Sequence, residues 1–578
     1  MIEATFGSPD VQARKLPLRF DSPIEILTAT QLSDVLPLLK AVEAASKSGH
    51  WVALMLCYEA APAFDAALKT RSRGELPLAW AAVFDHPSQD NSNNDSGPYE
   101  AGQWTPRVSR AEFGNAIARI RELIASGDTY QVNYTFPLTA KFSGDSHSWF
   151  RNLSEAQGAT YCAYFDLGRF KMLSLSPELF FEIKGRTILT RPMKGTIKRG
   201  RWPEEDKYFA GRLEQSAKDR AENVMIVDLL RNDLGRVSVN GSVKVSRLFE
   251  IERYETLWQM TSTIEATLRD DLTLPELMRG LFPCGSITGA PKVRTMEIIR
   301  DLEPYPRGVY TGTLGFLRPG GDATLNVAIR TVVIDSELGE ATFGVGGGIT
   351  YDSTAESEYE ECLVKSSFLN TAHVEFQLLE SLLLENGEWF LLERHLARMR
   401  ATADYFGFHL NEAEVSSELN RISSDRSGGR WKVRLLSTKD GKCNAEAIEL
   451  RAPCEEPLRV GLAAEPVNTN DRFLFHKTTN RAVYDKALAS RDDCDDVILW
   501  NEKGEVTEST IANVVVMIGD DYFTPPRASG LLAGTFREEL LAKGKIRERV
   551  IHREELNKAR EIYLINSVQK WRKVLLVE

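Results

Sequence analysis

The sequence predicts an α+β protein with two domains, and three observations support this fold class. The chain has 578 residues, too many for one hydrophobic core. From Arg110 onward, segments with helical periodicity alternate with strand-like segments. Near residue 370 the pattern restarts, with two apolar runs around Asn386-Gly387, a strong signal for a hairpin turn. We therefore expect one domain over residues 1–370 and another over residues 373–578.

Composition narrows the class of protein. Hydrophobic residues make up 43% of the chain, as in ordinary folded proteins, and we see neither a leader-like start nor a run of about 20 apolar residues. The net charge of -11 argues against nucleic-acid binding, which rewards clustered cations. The seven cysteines form no CxxC pair, so we expect reduced thiols. These features predict a cytoplasmic protein.

The elements of the first domain can be read in chain order. WVALMLCYEA is typical of a buried strand, and His86–Gly102 is too polar to pack and predicts an exposed loop. AEFGNAIARIRELIASG has helical periodicity, whereas four later segments predict strands. These are TYCAYFDLG, LFFEIKG, TILTRPMKG and GEATFGVGGGITY.

Two helical segments carry paired acids. LEQSAKDRAENVMIVDLLRNDLGRV places Asp219 and Glu222 on one face, and TAESEYEECLVKSSFLN does the same for Glu358, Glu361 and Lys365. Two helices that offer carboxylate oxygens suit Mg²⁺, which keeps waters and takes further oxygens from its substrate. Solvated helix faces would have the same spacing, so the pattern alone leaves both interpretations open.

Glycine-rich segments suggest a place for an anion. CGSITGAPKVRTMEIIRDL predicts a turn leading into a helix with Pro291 near its start, where backbone N–H groups can bind an anion. It does not match GxxxxGK[ST], so nucleotide binding is disfavoured. GVGGGI lacks the third glycine of a dinucleotide motif and indicates close approach of another group to the backbone. A simple turn is the alternative for each segment.

Five motifs, in this order, resemble the chorismate-utilising enzymes: SPELFF, RPMKGT, DRAENVMIVDLLRNDLGR, GSITGAPK and GGGITYDSTAESEYEECLVK. That family includes anthranilate synthase, isochorismate synthase and aminodeoxychorismate synthase component I. The resemblance implies a large antiparallel-sheet sandwich with helices. It also implies Mg²⁺ held by Glu222 and Glu361, with Asp219 and Glu358 in supporting positions. The implied substrate-binding residues are Gln131, Thr196, Ser286, Thr288, Gly289, Ala290, Arg330, Gly346, Gly347 and Lys365.

Lys194, in RPMKGT, distinguishes members of this family. Aminodeoxychorismate synthases resemble the sequence in carrying lysine there, whereas anthranilate synthases usually carry alanine; a surface lysine is the alternative. The resemblance implies that Lys194 adds covalently to the chorismate ring and that Glu178, in SPELFF, acts as the general acid. Gln131 stands where isochorismate-type members carry a lysine that activates water, so addition of nitrogen is favoured.

The source of nitrogen is expected to lie outside this chain. We find no nucleophilic cysteine in a glycine-flanked turn with a downstream His-x-Glu, so ammonia must come from solution or from a separate glutamine amidotransferase subunit. The tryptophan-feedback motif LLES occurs at Leu378–Ser381, in the wrong domain for that role. We interpret it as coincidence and predict no inhibition by tryptophan.

The last third carries a second set of motifs. FLLERHLARMRATADYFGF, FHKTTNRAVYDKAL, DVILWNEKGEVTESTIANVVVM and GLLAGTFREELL resemble, in that order, the class IV (D-amino-acid-aminotransferase-like) pyridoxal-phosphate fold. The resemblance makes Lys477 the lysine that binds the cofactor and later moves a proton. Glu508 would pair with the pyridinium nitrogen, and Arg398 with Gly534 and Thr535 would bind the phosphate.

Together the two resemblances imply synthesis of 4-aminobenzoate, a folate precursor. Chorismate would be aminated to 4-amino-4-deoxychorismate, and the second domain would then eliminate pyruvate. TTNR after the lysine departs from stand-alone lyases and leaves the substrate of that domain open. The alternatives are an anthranilate synthase fused to a class IV aminotransferase, a second domain that only dimerises, and a chorismate-binding protein without turnover. A homodimer through the second domain is also expected.

Overall fold

A computed structural model describes residues 2–7, 18–88, 97–370, 374–451 and 456–577. The described residues form two compact units, one of Met1–Lys198 with Ala210–His373 and the other of Arg199–Phe209 with Val374–Glu578. The middle of the expected loop at His86–Gly102 lies outside the described residues, as do His373 and Cys454. The other six cysteines are free thiols. None of the described helices is both long and apolar enough to cross a membrane.

Two large sheets dominate the first unit. Its described strands are β1 (Glu3–Phe6), β2 (Leu18–Asp21), β3 (Glu25–Ala29), β4 (Trp51–Leu56), β5 (Ala79–Phe84), β6 (Tyr99–Ala101), β7 (Thr105–Pro106), β8 (Gln131–Gly144), β9 (Tyr161–Asp166), β10 (Phe170–Ser176), β11 (Leu179–Lys184), β12 (Thr187–Arg191), β13 (Met193–Lys198), β14 (Lys244–Arg253), β15 (Leu257–Thr267), β16 (Gly289–Ala290), β17 (Thr313–Leu317), β18 (Ala323–Val327), β19 (Thr331–Asp335) and β20 (Glu340–Ile349). One sheet has the order β16-β8-β20-β19-β10-β9-β1-β2, with β6 and β7 beside β8. The other has the order β13-β15-β12-β11-β18-β17-β4-β5-β3, with β14 beside β15.

Seven helices pack on these two sheets in the described residues, while the eighth, α4, begins in the second unit. Those before residue 370 are α1 (Leu32–Lys47), α2 (Arg110–Ala125), α3 (Ser146–Gln157), α4 (Pro203–Glu214), α5 (Ala217–Val237), α6 (Leu274–Leu281), α7 (Lys292–Leu302) and α8 (Ala355–Ser366). One apolar cluster joins α1, α5 and α6 to the sheet that contains β4. A second joins α2, α3, α7 and α8 to the sheet that contains β8.

Strand β4 is apolar at every position because both of its faces are covered. Val52, Leu54 and Leu56 point into the helix-facing cluster, whereas Ala53 and Met55 point into a cluster shared with the other sheet. Because successive side chains of a strand alternate between its faces, a strand that is covered on both sides needs apolar residues at every position.

In its described residues, the second unit contains a small sheet, a larger mixed sheet and four helices that lie wholly within it. The small sheet, in the order β22-β21-β23-β24, begins with a hairpin in which Glu385 pairs with Glu388. The turn residues have φ values of 52° for Asn386 and 83° for Gly387, as a tight type I′ turn requires. The elements are β21 (Leu378–Glu385), β22 (Glu388–Phe390), α9 (Leu392–Phe406), α10 (Glu412–Ser424), β23 (Arg430–Ser437), β24 (Cys443–Glu449), β25 (Leu458–Leu462), α11 (Ala482–Ala489), β26 (Asp496–Trp500), β27 (Val506–Ser509), β28 (Asn513–Ile518), β29 (Asp521–Thr524), α12 (Thr535–Ala542), β30 (Arg547–Glu548), β31 (Glu561–Asn566) and β32 (Lys570–Leu576).

The larger sheet of this unit has the order β27-β26-β25-β32-β31-β28-β29-β30, and β27 also pairs with β28. Its β25 runs parallel to both β26 and β32, unlike the strands of the first unit, whose described pairs are antiparallel. The predicted α+β class is confirmed in both units.

Replacing Leu54 by alanine should destabilise strand β4 by about 2–5 kcal/mol, because a fully buried leucine leaves a cavity. Hydrogen exchange of the β4 amides measures this free energy. Leu338→Ala is the control, since Leu338 is 63% exposed and its replacement should change the value by less than about 0.5 kcal/mol. Equal exchange in both variants would contradict the packing described for β4.

Candidate active sites

Lys194 brings an amine among carboxylates in the first unit. Its Nζ lies 3.3 Å from Oε2 of Glu222, and only 22% of its side chain is exposed. Burial raises the pKa values of Glu178 and Glu361, and the Lys194 charge acts in the opposite direction on both, so both of these acids lie within its electrostatic reach. The amine therefore lies inside a group of acids and not in bulk water.

The close approach of β13 to α5 explains that contact. Gly195, next to Lys194, has φ of 96°, and a Cβ there would lie 2.9 Å from Cβ of Asp219. Ser216 caps α5 by accepting a hydrogen bond from the N–H of Asp219. Only glycine allows both the backbone angle and the contact, so Gly195 places Lys194 against the acidic helix.

Helix α8 supplies the other acids. Glu358 accepts a hydrogen bond of 2.7 Å from the Ser353 hydroxyl, and Lys365 lies 2.8 Å from Glu361 and donates to the carbonyl of Gly346 at 2.9 Å. Burial raises the pKa of Glu361, but Lys365, Lys194 and Lys218 lower it more, so the net pKa is below its ordinary value. Glu361 therefore stays ionised at neutral pH.

The acids around Lys194 can be compared with the oxygen ligands that a magnesium ion requires. Within the described ranges, no group of three or more His, Cys, Asp or Glu side chains converges as a complete metal site. Glu222 and Glu361 each pair with a lysine, and both act on the Lys194 amine. Two carboxylates supplemented by water and substrate oxygens fit the preference of Mg²⁺, so the donors are chemically suitable.

Glu178 lies just before β11 and is 3% exposed. Its carbonyl accepts from the N–H of Val327 at 3.0 Å, which fixes the backbone, but its Oε1 has no hydrogen-bond partner. Burial raises its pKa to about 7, against the opposing effects of the Ser286 hydroxyl and the Lys194 charge. A carboxyl that keeps its proton near neutral pH can act as a general acid.

Gln131 is joined to the glycine-rich segment by strand pairing. Ala290 pairs with Gln131 and Gly289 pairs with Val132, while the N–H of Asn133 donates to the carbonyl of Thr288 at 2.8 Å. The side chain of Gln131 is 1% exposed, and its Oε1 lacks a partner. The expected anion-binding loop and Gln131 therefore lie side by side, and Oε1 of Gln131 is a buried acceptor without a donor.

The glycines of β20 make room for these side chains. A Cβ at Gly348 would lie 2.4 Å from Nε2 of Gln131 and 2.8 Å from Nζ of Lys194. A Cβ at Gly347 would lie 3.3 Å from Oε2 of Glu358. The GGG run is therefore required by side chains that close on the backbone, and it brings Gln131, Lys194 and Glu358 to one strand.

Two expected substrate-binding residues make other contacts. The Thr196 hydroxyl donates to Oε1 of Gln259 at 2.9 Å. Arg330, with φ of 49°, donates to Oε1 of Gln157 at 3.1 Å, and burial lowers its pKa. These hydrogen bonds do not join either residue to Lys194, so their roles toward a substrate stay predictions.

Arg307 is a buried residue that sequence reasoning missed. It pairs with Glu303 at 2.6 Å and donates to the carbonyls of Ile287 at 2.9 Å and Asn133 at 2.7 Å. The arginine thus ties the glycine-rich segment to β8, which carries Gln131. Its pairing with Glu303, four residues earlier, is local, but the contacts that join it to the glycine-rich segment and to β8 are with distant backbone carbonyls, which no local motif indicates.

In the second unit, Lys477 is half-buried beside β21 and within electrostatic reach of Arg398, Glu380 and Glu508. Its carbonyl accepts from the N–H of Leu379 at 3.1 Å. Burial lowers the pKa of its amine to about 8, and Arg398 lowers it further, while Glu380 and Glu508 oppose this effect. A fraction of the amine is therefore neutral near physiological pH, as a nucleophile or base must be.

Glu508 is held by three donors. Oε1 accepts from the Tyr484 hydroxyl at 2.8 Å and from the N–H of Leu532 at 3.0 Å, and Oε2 accepts from Nδ2 of Asn513 at 3.3 Å. Burial raises its pKa to about 7, although the Leu532 N–H, Tyr484 and Lys477 oppose this. Tyr484 and Asn513 were not recognised from the sequence.

Arg398 is fixed by an acid that the sequence suggested was coincidental. Its Nε and Nη2 donate to the two oxygens of Glu380 at 2.8 and 2.7 Å, and its Nη1 donates to the carbonyl of Ala533 at 3.2 Å. His395 donates from Nδ1 to the same carboxylate at 2.7 Å. Glu380 belongs to LLES, so in this chain the motif holds the expected phosphate-binding arginine.

The same network reaches the start of α12. Nε2 of His395 lies 3.1 Å from the Thr535 hydroxyl, and the N–H of Gly534 donates to Oδ1 of Asn513 at 3.2 Å. Thr535 is the first residue of α12, where helix N–H groups have no intrahelical partner. Arg398, Gly534 and Thr535 are thus brought together, as the phosphate prediction requires.

One unpaired polar atom lies next to the candidate lysine in the chain. Among the described buried side chains, the hydroxyl of Thr478, which follows Lys477, lacks a hydrogen-bond partner. Buried polar groups are normally satisfied, so this hydroxyl is available to a polar ligand. The hydroxyl of Thr507 is also unpaired, but successive side chains of a strand alternate between its faces, so Thr507 points away from the face on which Glu508 lies.

Comparison with known proteins matches both parts of the chain to families. Residues 19–371 match the family described as chorismate binding enzyme, and residues 377–577 match amino-transferase class IV. Aminodeoxychorismate synthase component 1 of Salmonella typhimurium is 44% identical over 262 residues, which is 45% of this chain and 57% of that protein. Anthranilate synthase component 1 of Streptomyces coelicolor is 37% identical over 297 residues, or 51% of this chain and 55% of that protein.

A solved structure shows the same fold in the first part. Anthranilate synthase component I from Streptococcus pneumoniae superposes with a TM-score of 0.54 at 24% identity, covering 64% of this chain and 92% of that one. The chain spans a little over half the length of the curated relatives it matches. The predicted sequence of folds, a chorismate-utilising fold followed by a class IV fold, is confirmed.

Glu178→Gln should change how stability depends on pH. Between pH about 4.5 and about 7 the folded protein keeps the Glu178 proton that the unfolded chain has lost, so the wild type loses stability as pH rises. The variant lacks this dependence, and the difference should reach about 3 kcal/mol.

Urea denaturation at a series of pH values measures this difference. Other buried acids contribute equally to both proteins and cancel, and Glu122→Gln, at an exposed position, serves as the control. Parallel pH curves for the wild type and Glu178→Gln would show that Glu178 is ordinary in the folded state.

Proposed function

The chain belongs to the chorismate binding enzyme family, and on that premise we propose that it makes 4-aminobenzoate from chorismate in two steps. The first unit would aminate chorismate to 4-amino-4-deoxychorismate. The second would release pyruvate from that product. The observation that carries the proposal is the placement of the Lys194 amine beside Glu222 and within reach of Glu178.

The first step follows from these two groups. The Lys194 amine forms a bond to the chorismate ring while the C4 hydroxyl leaves, and Glu178 donates the proton that makes water of it. Ammonia then bonds to C4, the bond to Lys194 breaks, and the lysine is regenerated. Gln131, an amide, has no basic group with which to activate water, so nitrogen is the favoured nucleophile.

Lysine at position 194 also favours this reaction over the rival one. The S. coelicolor relative is named an anthranilate synthase component, so overall similarity does not decide between the two. An amine that bonds to the ring directs the product toward substitution at C4, whereas anthranilate carries its amine beside the carboxylate. We therefore retain anthranilate synthesis as the alternative to be tested.

The proposal includes a magnesium ion, whose charge would offset that of the acids. Glu222 and Glu361 would hold it, with Asp219 and Glu358 behind them. Chorismate is anionic, and carboxylates alone would repel it. Ser286, Thr288 and Lys365 would meet its carboxylates.

Pyridoxal phosphate belongs to the second step. When bound, it supplies an electron sink for carbanion chemistry. Lys477 would move the proton from C4 of the intermediate, Glu508 would face the ring nitrogen, and Arg398 with Thr535 would face the phosphate. Proton removal, cleavage of the bond to the enolpyruvyl oxygen and departure of pyruvate leave an aromatic ring.

Partners and location complete the proposal. The S. typhimurium relative is named component 1, which supports a separate glutamine amidotransferase subunit as the source of ammonia. A homodimer through the second unit remains part of the proposal. We propose a cytoplasmic location, since the described cysteines are free thiols, as in reducing compartments.

Purified protein given chorismate, Mg²⁺, ammonium and pyridoxal phosphate should yield 4-aminobenzoate and pyruvate, identified by mass spectrometry. Lys194→Ala should lower amination at least 100-fold but still process supplied 4-amino-4-deoxychorismate. Lys194→Arg should fail equally, because it keeps the charge without the nucleophilic amine. Lys244→Ala, at an exposed position on β14, is the matched control, and formation of anthranilate would overturn the assignment.

Lys477→Ala should stop pyruvate release while amination continues, so that 4-amino-4-deoxychorismate accumulates. It should also abolish the visible absorbance band of the lysine-bound cofactor. Lys486→Ala, an exposed lysine on α11, should keep both. Unchanged 4-aminobenzoate yield in Lys477→Ala would instead support a second unit that only dimerises.

A further inference from the structure

A short stretch of the first family region belongs structurally to the second unit. Arg199–Phe209 groups with residues 374–578, although it lies within residues 19–371, which match the chorismate binding family. It leaves directly from β13, which carries Lys194, and continues into α4. The class IV unit therefore includes residues that its own family region does not encode.

The stretch has an internally fixed shape. The side chains of Arg199 and Asp206 form an ion pair of 2.7 Å and are 5% and 8% exposed, and the N–H of Gly200 donates to Oδ1 of Asp206 at 2.8 Å. A Cβ at Gly200 would lie 2.1 Å from the backbone nitrogen of Asp206. The turn is thus closed by a buried pair and requires glycine.

Trp202 packs behind the residues of the candidate cofactor site. Its ring centroid lies 5.0 Å from that of Phe475, two residues before Lys477 in the chain. It packs against a buried apolar cluster that also contains Tyr484, and the hydroxyl of Tyr484 donates to Glu508. One indole ring therefore supports both the lysine-bearing segment and the tyrosine that holds Glu508.

The backbone of the stretch also holds His476, the neighbour of Lys477. Nε2 of His476 lies 3.1 Å from the carbonyl of Arg201, and because a carbonyl only accepts, this nitrogen carries the hydrogen. Burial lowers the pKa of His476 to about 3, with Arg527 adding to the effect, so the ring is neutral. The Tyr405 ring lies 4.2 Å from it, and the Tyr405 hydroxyl donates to the carbonyl of Gly200 at 2.7 Å.

A third contact reaches the loop before α12. Glu204 pairs with Arg527 at 2.9 Å, and the Arg527 guanidinium lies 5.4 Å from the Trp202 ring centroid. That loop continues to Leu532, whose N–H donates to Glu508, and to Ala533, whose carbonyl accepts from Arg398. The stretch thus contacts the chain on both sides of the candidate site.

We propose that Arg199–Phe209 is a working part of the class IV site, in which Trp202 and the Arg201 carbonyl position Lys477 and Glu508 from behind. These are positioning residues, since the contacts described for them are with Phe475, His476 and Arg527, which in turn adjoin the residues of the candidate site. The proposal rests on the proposed role of Lys477. A stretch that only fills space would affect overall stability and leave the properties of Lys477 unchanged.

The test uses the full-length protein with Trp202→Ala, Trp202→Phe and the control Lys207→Ala, an exposed position on α4 in the same stretch. In apoprotein, the pH at which Lys477 reacts with an amine-acylating reagent is followed by peptide mass spectrometry. The wild type should titrate at about pH 8. Trp202→Ala should shift this upward by at least about one pH unit, because water that reaches the amine stabilises its charged form.

A second readout is the dissociation constant of pyridoxal phosphate. It should rise at least tenfold in Trp202→Ala, remain near the wild-type value in Lys207→Ala, and be intermediate in Trp202→Phe, which keeps an aromatic ring. If Trp202→Ala does not fold, Trp202→Leu replaces it, since leucine keeps apolar volume without the ring contact. In that variant the titration of Lys477 should also shift to higher pH, but by less than in Trp202→Ala.

The outcomes separate this inference from the proposed function. A folded Trp202 variant with unchanged Lys477 titration and unchanged cofactor affinity overturns the positioning role. A wild type that binds no pyridoxal phosphate, but whose Lys477 titration still depends on Trp202, overturns the proposed second step and leaves the positioning role intact. Loss of thermal stability without a change at Lys477 also counts against the inference.

Discussion

The contact between Lys194 and Glu222 constrains the whole first site. It joins a strand to a helix at 3.3 Å, and it places the Lys194 amine between the acids of α5 and α8. Glu178 and Glu361 both respond to that charge. The surrounding features, the glycines at 195 and 348 and the pairing of β16 with β8, all serve to let groups approach this amine.

In the second site the arrangement is reversed, with one acid among basic side chains instead of one lysine among acids. There the buried acid Glu380 lies between Arg398 and His395, and although burial raises its pKa, these neighbours lower it to about 2. The carboxylate takes two nitrogens of the guanidinium, and the third, Nη1 of Arg398, donates to the carbonyl of Ala533. These contacts fix the guanidinium in one orientation, and a fixed planar guanidinium suits a phosphate better than a flexible lysine would.

The sequence predicted the strands and the hairpin turn because these depend on local patterns, whereas the roles of the motif residues stay predictions. Strand β4 is apolar at each position since both its faces are covered, and the turn at Asn386-Gly387 is specified by two residues. The contacts of Arg307, Tyr484 and Glu380 were not predictable in this way, because each joins segments distant in the chain. His395 and Arg398, three residues apart on α9, carried a usable signal for an acid facing that helix.

The assignment of Arg199–Phe209 to the second unit has a consequence for the history of such genes. Trp202 lies in the region that matches the chorismate binding family, yet its ring packs against Phe475 and Arg527 of the second unit. A later break of the gene between the two family regions would deliver a class IV chain without that indole. Such a separated chain would lack the packing contacts that Trp202 supplies, so the two family regions depend on being in one chain.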